Sequence, residues 1–260
     1  MQLDHPEIDV DAMLSLLQRD GVVTLPGLYT SIIDTLAEQH VQIFKPLHPL
    51  GATAVSHDGE CIVPTSPVGL RAHGCDTLAM ALSPRWFSAL AQRYFNASAP
   101  IPVSFVSLAL DHEKQDPTGP GNHHPHWDPS LSLRLMLYIS DVSKETGAIE
   151  IVRGTHYANH LQRLKEWKDN RPYVERPECA GLGQEFETLE ASAGSVLVFD
   201  TSLTHRRGLL QPGTQRRVGF GHIQSDLAQR QLAGVPYQDI LAADLHPHGN
   251  AYRQKKANHE

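Results

Sequence analysis

Asn122-His123-His124-Pro125-His126-Trp127-Asp128, followed shortly by Leu131-Ser132-Leu133-Arg134-Leu135-Met136-Leu137-Tyr138-Ile139, is the stretch on which the architecture turns. From 131 to 139 every odd position is leucine or isoleucine, and the even positions are Ser132, Arg134, Met136 and Tyr138. Side chains alternate across a strand with period two, so this segment is a strand with one wholly apolar face. If the chain is extended back to His126, then His126 and Asp128 share the side of the even set. The leucines then pack outward, under helices. A histidine, one spacer and a carboxylate aimed the same way form a metal-ligand pattern. Two imidazoles and one carboxylate on one side of a non-haem Fe(II) leave three positions open, enough for a bidentate oxo-acid and dioxygen. The triplet alone is weak. With sixteen histidines, about one His-x-Asp/Glu is expected by chance from usual acidic-residue frequencies, and His5-Pro6-Glu7 is such a bystander. A specific case needs partners downstream.

Working outward, the chain of 260 residues is long enough for one large domain or two small ones, and 40% hydrophobic against 20% charged residues supplies a real core. A net charge of −7 argues against a nucleic-acid or anionic-membrane surface. Cys61, Cys75 and Cys179 are few, odd in number and scattered, which fits a reducing compartment rather than a disulfide framework. No basic region leads into an apolar run at Met1–Pro6, and no apolar stretch reaches the ~20 residues of a membrane helix. A cytoplasmic location is the expectation.

The N-terminal third reads as helical support. Val10, Met13, Leu14 and Leu17 predict a helix over 9–20, capped by Asp9 and ended by Gly21; a short strand, Val22-Val23-Thr24-Leu25, follows. Ser31 with Asp34 predicts a capping box opening a helix to about Phe44. Residues 45–82 lack a strong period and read as loops and short strands. Ser83-Pro84 predicts the start of a third helix, with Trp86, Phe87, Leu90, Ala91 and Tyr94 on its core face. Strands begin at Ile101–Leu110. The polar, Gly/Pro-rich residues 111–125 read as a lid or substrate-contact loop. Asp141 to Thr146 is a turn, Gly147–Val152 a strand, and 157–187 an insertion over a barrel mouth with a short helix near Leu161–Trp167. Ser195–Phe199 is a buried strand and Arg216–Ile223 another, beyond Pro212-Gly213; the tail from Asp244 is polar.

With these blocks in place the sequence resembles the phytanoyl-CoA dioxygenase-like family of Fe(II)/2-oxoglutarate-dependent oxygenases. Three blocks over roughly 120–225 carry the resemblance, with a weaker echo in Asp20–Gly27. They are His126-Trp127-Asp128; Leu137–Asp141 with Gly147-Ala148-Ile149-Glu150-Ile151-Val152-Arg153-Gly154-Thr155-His156; and Ala193–Phe199 followed by His205 and, eleven residues on, Arg216. The resemblance implies a mainly β fold with flanking helices (α+β): a double-stranded β-helix, the jelly-roll or cupin-like barrel, with N-terminal helices on its outer sheet. One domain would span 1–260, with helical support and first strands in 1–100, the barrel core in 101–225 and a C-terminal extension in 226–260.

It also implies roles. His126, Asp128 and His205 would bind Fe(II), Arg216 would pair with the far carboxylate of 2-oxoglutarate, and Met136 matches a position facing that co-substrate, or else is a core methionine. A guanidinium offers a carboxylate a planar two-pronged match. Arg216 shares a strand face with Val218, Phe220 and His222, while Arg217 points away. The implied reaction consumes O2, decarboxylates 2-oxoglutarate to succinate and hydroxylates, or otherwise oxidises, an unactivated C–H of a small-molecule metabolite or natural-product intermediate. Asp128 argues against halogenation, because halide needs a position vacated by a small residue there. Two departures stand out: Arg206-Arg207 where the family has a small residue after the distal histidine, and Arg153 in place of a proline. Arg134, Arg153 and Arg207 are either contacts for an acidic substrate or ordinary paired arginines. His123, His124 and His156 lie near the pocket or serve structure, His222 is structural, and Trp127 points away from the metal. The competing readings are a non-oxidative metal-binding cupin-like enzyme, which leaves Arg216 without a task, or a binding protein on a degenerate barrel.

Overall fold

The computed structural model describes residues 8–114, 118, 121–128, 131–168 and 179–224. His5-Pro6-Glu7, parts of the loop and insertion, and the C-terminal extension lie outside them. Helix α1 (Val10–Asp20) begins where the Asp9 carboxylate accepts from the backbone N–H groups of Asp11 and Ala12, and ends at Gly21, whose φ of 78° turns the chain. Strand β1 (Val22–Leu25) follows as expected.

Helix α2 (Ile33–Ile43) departs from expectation at its start: no side chain caps it, so the Ser31/Asp34 box does not form. A 3-10 turn over Thr30–Ile32 leads in instead. Residues 45–82 hold more than loops. Strands β2 (Val55–His57) and β3 (Glu60–Thr65) are followed by two helices, α3 (Pro67–Ala72) and α4 (Asp76–Leu82). Both are under two and a half turns, too short to show a period. A local signal for α3 exists in Ser66-Pro67, where Ser66 Oγ accepts from Gly69 N–H at 2.9 Å. The third expected helix is α5 (Arg85–Tyr94), but Ser83 does not cap it; its hydroxyl donates back to the Ala79 carbonyl at 2.6 Å.

Strand β4 (Phe105–His112) starts and ends later than expected. Strands β5 (Ser132–Tyr138) and β6 (Ile149–Val152) precede α6 (His156–Lys168), which is longer than the short helix expected there. Strands β7 (Glu187–Thr188), β8 (Val196–Asp200), β9 (Thr204–Arg207) and β10 (Gln215–Gln224) complete the described fold.

The strands form two antiparallel sheets. The larger has the order β1-β8-β5-β10-β4-β3-β2, the smaller β7-β6-β9. The non-sequential neighbours are the wrapped pairing of a jelly roll. Alternation sorts the large sheet's side chains as the sequence predicts. Leu131, Leu133, Leu135, Leu137 and Ile139, with Val196 and Val198, join a buried cluster with Leu17, Leu36, Leu82, Phe87 and Leu90 of the helices. Met136, Tyr138, Leu197, Phe199 and Val218 face the other way and pack with Ile149 and Ile151 of the small sheet. Helices therefore cover one face of the large sheet, and the space between the sheets is left for a site. Contact on the helix side is close. A Cβ at Gly221 of β10 would lie 2.1 Å from the Leu82 carbonyl oxygen of α4, so only glycine fits.

Candidate metal centre and its cavity

Asn122–His126 joins the edge of the small sheet beside β9. His126 and His205 form a reciprocal antiparallel pair, each N–H donating to the other's carbonyl at 2.9 Å. Residues opposed in this way point to one face, and the two imidazole centroids are 4.3 Å apart. Two residues on, Asp128 N–H donates to the Thr201 carbonyl at 2.8 Å, which fixes the carboxylate beside the rings. His126 Nε2 and His205 Nε2 each lie 4.0 Å from Asp128 Oδ1, and one ligand atom from each residue falls within 4.8 Å of the other two.

The tautomers are set by the backbone. His126 Nδ1 is 2.8 Å from the His124 carbonyl and His205 Nδ1 is 2.7 Å from that of Leu203. A carbonyl only accepts, so each Nδ1 donates and each Nε2 carries the lone pair. Burial, helped by the neighbouring His126, pushes His205 down to about 3, so it stays neutral. Its Nε2 is buried with no hydrogen-bond partner among the described residues. Burial opposes the charge on Asp128, but Arg134 and the two imidazoles outweigh it and hold the carboxyl below its ordinary range. Arg134 Nη2 takes Asp128 Oδ2 at 2.5 Å, leaving Oδ1 toward the histidines. Two imidazoles with Nε2 turned to one point, a carboxylate and an orphaned buried nitrogen fit a divalent metal of the non-haem iron type.

This trio opens into a cavity of about 210 Å³ between the sheets. At its other end Arg216, 5% exposed, is held side-on: Nε and Nη2 meet Asp111 Oδ2 at 2.9 and 2.7 Å, and Nη1 donates to the Gly147 carbonyl at 2.8 Å. A guanidinium has five N–H groups. Asp111 and Gly147 do not take up all five, so the guanidinium keeps N–H groups beside the cavity it lines. Met136 is both core and lining, 1% exposed and on the cavity wall with Phe199 and Phe220. Arg217 bonds through its backbone to Ser140 and does not line the cavity.

The remaining residues sort clearly. Trp127 is buried outside the lining, under the Arg163 guanidinium at 4.8 Å. His222 does line the cavity, stacked on Phe105 at 4.0 Å and 3.1 Å from Ser107 Oγ. Arg153 pairs with Glu187 at 2.5 Å away from the lining, and Arg206 with Glu150. Arg134 and Arg207 do face the cavity. The sequence reading missed Glu60, Asp111 and Arg163. A signal for Asp111 was present: in β4 Ser107, Ala109 and Asp111 alternate with Val106, Leu108 and Leu110, a polar inner face against an apolar outer one. Arg163, whose Nη2 donates to the Asp128 carbonyl at 2.6 Å, had no such signal, because its partner is backbone.

Residues 70–208 match the phytanoyl-CoA dioxygenase family. The chain belongs to that family. No curated protein matches the sequence. Solved structures share the fold. The epimerase SnoN, in complex with Fe3+, alpha-ketoglutarate and nogalamycin RO, aligns with a TM-score of 0.59 at 16% identity, over 83% of each chain. HygX from Streptomyces hygroscopicus, with nickel and 2-oxoglutarate bound, aligns at 0.57 and 13% identity, over 83% of this chain and 87% of its own. EctD from S. alaskensis, with 2-oxoglutarate and 5-hydroxyectoine, aligns at 0.56 and 11% identity, over 85% and 77%. Among the described residues no helix is long and apolar enough to cross a membrane.

Proposed function

We propose that this chain is an Fe(II)- and 2-oxoglutarate-dependent dioxygenase that hydroxylates an unactivated C–H of a small-molecule metabolite or natural-product intermediate. The observation that carries the reading is convergence. The Nε2 atoms of two imidazoles and one oxygen of Asp128 meet in a cavity that Arg216 also lines. In this reading His126, Asp128 and His205 hold the metal, Arg216 takes the distal carboxylate of 2-oxoglutarate, and Met136 packs beside its chain. When bound there, iron with 2-oxoglutarate and dioxygen would supply a one-oxygen oxidant, the keto-acid losing carbon dioxide to become succinate.

The protein's own part is placement. Backbone carbonyls lock both imidazoles with Nε2 toward the metal. Arg134 neutralises Asp128 and occupies one of its oxygens. Asp111 holds the Arg216 guanidinium in place, and the apolar wall of Met136, Phe199 and Phe220 keeps water from the reacting centre. Asp128 fills the position that a halide would take, so hydroxylation is favoured over halogenation. Epimerase SnoN and carbocyclase SnoK share the fold, so the outcome is tested by product analysis.

Anaerobic addition of 2-oxoglutarate to the Fe(II) protein should produce a weak visible charge-transfer band. Oxygen should then release succinate, and a hydroxylated substrate should carry labelled oxygen from O2. Iron binding without the band or succinate refutes the class. Desaturated, epimerised or chlorinated product refutes hydroxylation alone.

A further inference from the structure

Two buried guanidiniums flank the Asp111 carboxylate. Arg216 reaches Oδ2 from β10, and Arg207 reaches across from β9, its Nη1 3.3 Å from Oδ1 and its Nη2 3.2 Å from Glu60 Oε1. Glu60, Asp111 and Arg216 are cross-strand neighbours on β3, β4 and β10, so the small sheet supplies the fourth charge. Arg207 lies two residues past His205 and so on the same face of β9. It is 5% exposed and lines the cavity. Its Nε and Nη2 are buried without a hydrogen bond among the described residues, Nη2 making only the ion-pair approach to Glu60. Burial draws this guanidinium below its ordinary pKa, against the pull of Asp111 and Glu60. It is therefore short of acceptors where it stands.

Charge balance sharpens the point. Glu60 and Asp111 offset Arg207 and Arg216. Without Arg207, one guanidinium would face two carboxylates, and an arriving dicarboxylate would meet net negative charge. Two cations close enough to hold one carboxylate between them are close enough to share a second.

We propose that Arg207 is a second anchor for the distal carboxylate of 2-oxoglutarate, donating to it alongside Arg216, and so sets selectivity for a dicarboxylic keto-acid. This rests on the oxygenase reading above. The test compares anaerobic binding of 2-oxoglutarate with that of 2-oxopentanoate, which has the same chain length and no second carboxylate. Binding to the Fe(II) protein is followed by the charge-transfer band and by calorimetry.

Arg207→Gln should weaken 2-oxoglutarate about tenfold or more and leave 2-oxopentanoate within about twofold. The double variant Glu60→Gln/Arg207→Gln restores charge balance and guards against misfolding; it should remain equally poor for 2-oxoglutarate. An unchanged ratio of the two affinities in Arg207→Gln overturns the proposal and makes Arg207 a structural clasp between sheets. Recovery of the wild-type ratio in the double variant also overturns it, because Arg207 would then act only by cancelling Glu60. Failure of the wild-type protein to chelate either keto-acid overturns the oxygenase reading itself, and this inference with it.

Discussion

At the scale of single residues, the proposed metal site depends on groups outside the proposed ligand set. Arg134 is the clearest. It holds Asp128 Oδ2 at 2.5 Å and lies 5.6 Å from the Phe220 centroid. Arg134→Leu leaves the carboxylate buried without its cation, and Fe(II) affinity should fall by about 10- to 100-fold, as for other partners of metal ligands. An anaerobic iron titration checks this; unchanged affinity would mean that the backbone contacts of Asp128 to Thr201 and Arg163 suffice to hold it. Asp128→Ala should abolish iron binding. Arg216→Leu should weaken 2-oxoglutarate while sparing iron, and equal loss of both would make that arginine structural. That His126 and Asp128 come together was legible because a strand's period puts them on one side. Arg216 was separable from Arg217 by the same rule. Asp111 left a signal in the polar inner face of its strand, but Glu60 left none, because a buried acid is recognised by its partner, and Arg207 comes from a strand far along the chain.

At the scale of elements, helix α6 bears on the metal segment through Arg163. Its guanidinium bonds the Asp128 carbonyl at 2.6 Å and Ser202 Oγ at 2.8 Å, and lies over Trp127. Arg163→Met removes those donors but keeps an apolar stem, so iron affinity should drop more than thermal stability does. Paired calorimetry and iron titration decide it; a fall in Tm with iron affinity intact would confine Arg163 to packing. Strand β10 makes the opposite demand. Gly221→Ala puts a methyl against the α4 backbone at Leu82, and overpacking of this kind destabilises by about 1–3 kcal/mol. Denaturant unfolding should report it. Long periodic elements such as α1, β5 and β8 could be read in advance. α3 and α4 could not, because six or seven residues complete too few turns to show a stripe. The starts of α2 and α5 misled because Ser31 and Ser83 are spent otherwise or not at all as caps.

At the scale of the whole molecule, a large sheet backed by helices faces a small one across the cavity, and histidines buried in it tie stability to pH. His40 of α2 bonds the Ala109 carbonyl of β4 at 3.1 Å, and burial pushes its pKa down from 6.5 to about 4. Between those values the unfolded chain binds the proton and the folded one does not, so stability rises with pH across the window and falls as pH drops through it. His40 alone contributes about 3 kcal/mol at most to that loss. His40→Gln should flatten the slope of Tm between about pH 6.5 and pH 4; an unchanged slope would assign it to other groups. The overall architecture was legible from alternation and from the family resemblance. The depth to which polar groups are buried was not, since it depends on the second sheet.

The reciprocal pair between His126 and His205 has one more consequence. The same two residues proposed to offer their rings to iron also zip the outermost strand segment onto the small sheet. Holding or losing the ion and fraying of that border are therefore a single equilibrium. Deuterium uptake at the His126 and His205 amides should slow on iron loading, and a protease should nick the iron-depleted chain first beside Asn122.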